Sequence, residues 1–101
     1  MNNRLEIAKK FAKTIKSDDV EQIILFGSVA RGDDNKDSDI DILIVTSNVE
    51  GIKSKVHDEA INVILEKEEV ISPHLMTSKH FKRTKDYPFL TNVLKEGVFL
   101  G

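Results

Sequence analysis

The segments Gly27-Ser28-Val29-Ala30-Arg31-Gly32 and Ser38-Asp39-Ile40-Asp41 place a glycine-serine turn, an arginine and two carboxylates within one short stretch. Asp39 and Asp41 are two residues apart, flanked by Ile40 and Ile42. On a strand, both carboxylates point to the same face. Two like charges side by side repel unless a positive group sits between them. A hard cation is the usual solution. Mg²⁺ takes one or two carboxylates and completes its shell with water and substrate phosphates. The pattern therefore predicts a nucleoside triphosphate site with Asp39 and Asp41 as metal ligands.

The turn before it agrees. Gln22 to Phe26 is an apolar, β-prone run that stops at Gly27. Glycine permits unusual dihedrals and close backbone approach. Ser28 adds a hydroxyl, and the next residues can open a helical turn whose backbone N–H groups suit phosphate oxygens. Arg31 offers a planar fork for phosphate or for an acidic neighbour. Neither the Gly-Ser pair nor the Asp-x-Asp pair is specific alone. In this order, between two strand-like runs, they are.

Ordinary structural readings stand beside these. Asp39 and Asp41 can be a solvated strand entry. Arg31 can be a loop arginine paired with Asp33 or Asp37, and Ser38 a turn residue that caps the loop and orients Asp39. Lys36, His57 and His80 read as surface residues. Lys79, Lys82, Arg83 and Lys85 read as a solvated helical face, or as a contact for a nucleotide, an RNA or an acidic partner.

The elements that must position these groups follow from periodicity. Leu5, Ala8, Phe11, Ala12 and Ile15 recur at helical spacing and predict a helix over 3–16. Val20 to Phe26 is the first strand, and Asp33 to Asp37 a polar loop. Asp39 to Thr46 is the second strand. It is apolar on both faces from Ile42 to Val45, which predicts a central position. Ser47-Asn48 caps a second helix whose inward stripe is Ile52, Val56, Ala60, Val63 and Ile64. Val70 to Thr77 is the third strand, placed at an edge or bulge by Pro73. Pro88 opens a last helix with Phe89, Leu90, Val93 and Leu94 inward, and Gly97 stops it. The class is α/β or α+β, a small mixed sheet flanked by helices.

Composition sets the frame. A chain of 101 residues suits one small domain, 1–101. A net charge of −2 does not mark a general nucleic-acid binder. The chain has no cysteine, so neither a disulfide scaffold nor a thiolate metal site is available. No apolar run approaches membrane-spanning length and no signal-peptide pattern opens the chain, so the cytoplasm is the expected compartment.

At these residues the chain resembles the minimal nucleotidyltransferases, within the superfamily that shares the DNA-polymerase-beta-like fold. Gly27-Ser28, the spacer from Val29 to Ser38, and Asp39-Ile40-Asp41 match that family's signature, as does the fuller Gly-Ser-x-Ala-Arg-Gly with Ser-Asp-Ile-Asp. Tyr87-Pro88-Phe89, Lys95-Glu96-Gly97-Val98 and Leu100 are similar to its C-terminal end. The resemblance implies that Asp39 and Asp41 hold two Mg²⁺ ions and that Gly27 and Ser28 contact the triphosphate; Arg31 and Ser38 are further candidates for binding the nucleotide. It implies ATP as the nucleotide and transfer of AMP to a hydroxyl of a partner protein. The partner is implied to be a small helical HEPN-type protein, the pair acting as antitoxin and toxin. One departure stands out. Catalysts of the superfamily carry a third carboxylate on a later strand, and here His74 stands near that position, with Glu68 and Glu69 before the strand. An imidazole can take a proton near neutral pH but is a poorer Mg²⁺ ligand.

Three functional readings follow. The first is an active Mg²⁺-dependent nucleotidyltransferase. The second is a non-catalytic module that neutralises a toxin-like partner by contact, favoured by the absent third carboxylate. The third is a nucleotide sensor.

Overall fold

A computed structural model describes residues 3–101. The elements are α1 (Arg4–Ile15), β1 (Val20–Phe26), α2 (Gly27–Arg31), β2 (Ile40–Thr46), α3 (Val49–Lys67), β3 (Ile71–Thr77), α4 (Ser78–Thr84), α5 (Pro88–Glu96) and β4 (Val98–Phe99). The four strands form one mixed sheet in the order β3-β2-β1-β4. β1 runs antiparallel to β2 and to β4, and β2 runs parallel to β3 through the α3 crossover.

The two-residue period of β2 divides the core. Ile40, Ile42 and Ile44 belong to a cluster with Ile23, Leu25 and Ile71, closed by Ala8, Phe11 and Ile15 of α1 and Ile52, Val56 and Val63 of α3. Leu43 and Val45 belong to a second, smaller cluster with Ile24, closed by Phe81 of α4 and Leu90 and Val93 of α5. Helices thus cover both faces of the sheet, which is why β2 is apolar on both sides. Asp41 registers with Phe26 on β1 and Ser72 on β3. It therefore shares the second face, at the end that α4 and α5 leave open.

The expected elements are present, with differences. α1 buries Arg4, Ala8, Phe11, Ala12 and Ile15, while Leu5 is exposed. Leu5 lies one residue off the stripe that Arg4 occupies. Asn48 caps α3 by accepting a hydrogen bond from the Gly51 N–H at 3.0 Å. Ile64 is exposed, because the inward stripe of α3 runs through Ile52, Val56, Ala60 and Val63. Pro73 lies on an edge strand, as expected. The stretch carrying Lys79, Lys82 and Arg83 forms α4, whose one buried side chain is Phe81. On α5, Leu90 and Val93 are buried but Phe89 is exposed. β4 is two residues long, too short to register as a periodic pattern, and exists through its pairing with Ile24 and Leu25.

Candidate active site

The site begins where β1 ends. Phe26 is extended, then Gly27 turns the chain with φ +77° into α2, and Gly32 ends that turn with φ +81°. Gly27 has a second reason to lack a side chain. A Cβ there would collide with Asp41 Oδ2 and lie 3.3 Å from Asp41 Cγ. The Asp41 carboxylate therefore rests directly on the glycine backbone, an approach no other residue type allows.

The loop from Asp33 to Ser38 fixes the entry to β2. Asn35 accepts from the Asp37 N–H at 2.9 Å, and the Ser38 hydroxyl accepts from the Asn35 N–H at 3.0 Å. Arg4 pins the loop from behind. Its guanidinium donates to Asp34 at 2.8 Å, to the Asn35 carbonyl at 2.6 Å, to the Lys36 carbonyl at 3.2 Å and to Glu69 at 2.9 Å. Burial pulls the Arg4 pKa down, but the hydrogen bonds to Glu69 and Asp34 outweigh it, so the group stays charged. Arg4 escapes a reading of motifs. Its sequence signal is a charged residue in phase with the apolar stripe Ala8, Phe11 and Ile15.

Asp39 is exposed just before β2, and Asp41 is half-buried one pleat further on. Burial pushes the Asp41 carboxyl above the usual carboxylate range; His74 opposes that rise, Asp39 adds to it and Arg31 opposes it. His74 Nε2 lies 3.7 Å from Asp41 Oδ1 and 3.5 Å from Ser72 Oγ, so the histidine comes to Asp41. Its ring also packs edge-on against Phe26, with centroids 5.1 Å apart. Glu69 is turned away to Arg4, and Glu68 caps α3 in a left-handed conformation. Neither joins Asp41.

The remaining expected residues have local partners. Arg31 pairs with Asp33 at 3.2 Å and with Glu96 of α5 at 3.5 Å. Its guanidinium remains half-exposed beside the turn. Ser38 is a loop-capping residue, the ordinary reading offered for it above.

The donor set can be weighed on its own chemistry. Asp39 and Asp41 offer only oxygen ligands. Among the described residues, no group of three or more histidine, aspartate or glutamate side chains could hold a metal ion. Two carboxylates with an incomplete shell fit a hard cation that brings water and phosphate ligands with it. They do not fit a closed structural metal site. Among the described residues, no helix is long and apolar enough to cross a membrane.

Residues 6–99 match the family model described as a nucleotidyltransferase domain. Two proteins of Methanocaldococcus jannaschii, each named “Putative protein adenylyltransferase”, are similar along their whole length. One is 35% identical over 99 residues, covering 93% of this chain and 95% of that protein. The other is 37% identical over 101 residues, covering 97% and 98%. A crystal structure of a toxin–antitoxin with AMP-PNP shares the fold, with a TM-score of 0.63 at 19% identity over 99% of this chain and 73% of that one. By the matched model and by these relatives, the chain belongs to the nucleotidyltransferase family, and to its minimal type.

Proposed function

We propose that residues 1–101 act as a single minimal domain that transfers AMP from ATP to a hydroxyl of a partner protein, in a Mg²⁺-dependent reaction. The observation that carries this reading is the Asp41 carboxylate seated on Gly27, with the α2 turn opening from the same glycine and Asp39 near enough to add to the rise that burial gives the Asp41 pKa. Family membership and the relatives named for protein adenylylation support it.

In the reaction, the acceptor oxygen bonds to the α-phosphorus as the bond from that phosphorus to the oxygen bridging toward the β-phosphate breaks. Pyrophosphate departs with the electron pair, and the hydroxyl proton passes to a base. Asp39 and Asp41 would hold Mg²⁺, two ions in this reading, which when bound neutralises charge on the triphosphate and on the leaving pyrophosphate. Gly27 and Ser28 let the triphosphate approach the backbone closely, and Arg31 adds a positive charge at the turn. Ser38 steadies the loop that delivers Asp39. His74 is placed to accept the hydroxyl proton, since its exposed ring sits at the open side of Asp41.

The acceptor in this reading is a small helical HEPN-type partner, with this chain as the antitoxin of the pair. The shared fold with a toxin–antitoxin that was crystallised with AMP-PNP supports it. A second reading, neutralisation by contact alone, is favoured by one observation: β3 presents Ser72 and His74 where an acidic residue would complete the ligand set. One experiment separates the two. The protein is incubated with Mg²⁺, α-labelled ATP and the product of the neighbouring gene, beside the double variant Asp39→Ala/Asp41→Ala. Label on the partner that disappears with the double variant is expected. Absence of label, together with full neutralisation by the double variant, would overturn transfer in favour of contact.

A further inference from the structure

A cavity of about 210 Å³ opens between the end of β1 and α5, lined by Phe26, Gly27, Arg31, Phe89, Asn92 and Glu96. It shares Gly27 with the candidate active site, yet its chemistry is different. Arg31 and Glu96 pair with each other at 3.5 Å across its rim. What remains is an aromatic wall and an amide. The volume is that of about seven liquid waters, smaller than pockets for drug-sized ligands and suited to one planar ring system.

The two aromatic residues are arranged for a guest. Phe89 stands at 90° to Phe26 with centroids 5.6 Å apart, and 48% of its surface is exposed. An exposed phenylalanine at an apolar helix position leaves a π-face without a partner. Asn92 lies one turn along α5 on the same wall and makes no side-chain hydrogen bond to another described residue. Its amide presents one donor and one acceptor side by side. That pair complements the N7 acceptor and N6 amino donor of adenine, whereas guanine shows two acceptors on the same edge. Phe26 joins the cavity to the carboxylates, touching Phe89 on one side and His74, 3.7 Å from Asp41, on the other.

We infer that this cavity is the base subsite, in which adenine stacks on Phe89 and is read by Asn92 while the phosphates lie at Gly27 and Asp41. The inference rests on the nucleotide-binding reading given above and adds to it the residues that select the base.

Calorimetric titration with Mg²⁺-ATP, Mg²⁺-GTP and Mg²⁺-tripolyphosphate tests it without requiring turnover. The wild-type protein should bind ATP more tightly than GTP or tripolyphosphate. Phe89→Ala should weaken ATP binding about tenfold or more, with tripolyphosphate unchanged, because a stacked base is lost and the phosphate end is not. Phe89→Leu keeps the apolar contact with Phe26 but has no ring face, so it should show the same loss in a protein that melts like the wild type. Asn92→Ala should erase the preference for ATP over GTP. Unchanged ATP affinity in both Phe89 variants, with tripolyphosphate still bound, would overturn the base subsite and leave the proposed function standing. Failure of the wild-type protein to bind either ATP or tripolyphosphate would overturn both.

Discussion

Two charged clusters flank the start of β2, and they are built to opposite ends. Around Arg4 every charge is answered: the buried guanidinium reaches Asp34, Glu69 and two loop carbonyls within 3.2 Å. Around Asp41 the account is left open. The carboxylate is half-buried against Gly27, its neighbour Asp39 is a like charge, and its nearest side-chain nitrogen is the His74 ring at 3.7 Å. Burying a charge without full compensation is unfavourable. A closed network such as that of Arg4 sets the position of a loop, whereas an under-compensated one such as that of Asp41 is a place where an external cation gains binding energy. Structure and chemistry are thus separated in residues only a few positions apart.

Mutations should separate the two clusters in the same way. The largest effect is expected from Asp39→Ala/Asp41→Ala, which should lower AMP transfer about 10³-fold or more, as befits loss of several kcal/mol of charge stabilisation, while leaving the denaturation midpoint intact. Arg4→Ala should do the reverse to stability. Removing the guanidinium from Asp34 and Glu69 should destabilise the fold by about 3 kcal/mol in urea titrations, because two acidic groups and two carbonyls each lose a buried donor. His74→Gln should lower kcat about 10²-fold with little change in ATP affinity, the size expected when a proton acceptor is removed. The smallest effect belongs to Asp41→Asn in the metal-free protein. Because burial raises the folded-state pKa of Asp41, ionisation works against folding as pH rises through the interval between its unfolded and folded values. The asparagine variant should therefore melt slightly higher than wild type at pH 7, and the difference should vanish in acid below the ordinary carboxylate range. Added Mg²⁺ should raise the wild-type midpoint and not that of the variant.

Much of this was legible in the residues. The central place of β2 followed from Ile42 to Val45, and the edge position of β3 from Pro73, because both depend on local rules of pairing and burial. The family resemblance places His74 near the position of a third carboxylate, and in the structure it lies 3.7 Å from Asp41, two residues beyond Ser72, which registers with Asp41. Less legible were features that depend on tertiary neighbours. Arg4 looks like a solvated helix start until the loop from Asp34 to Lys36 folds back onto it. Ile64 and Phe89 carry apolar side chains at plausible inward positions, yet the faces available for packing are filled by Val63 and Leu90. The engagement of Arg31 by Glu96 joins residues 65 apart in sequence, which no local pattern encodes.

The most direct measurement is a crystal structure of the protein with Mn²⁺ and a non-hydrolysable ATP analogue, with the metal located by its anomalous scattering. Mn²⁺ bound between the Asp39 and Asp41 carboxylates, with the nucleotide's phosphates against it and beside Gly27, is the expected result. Nucleotide and metal bound elsewhere, with both carboxylates bare, would contradict the assignment of this turn and strand as the active site.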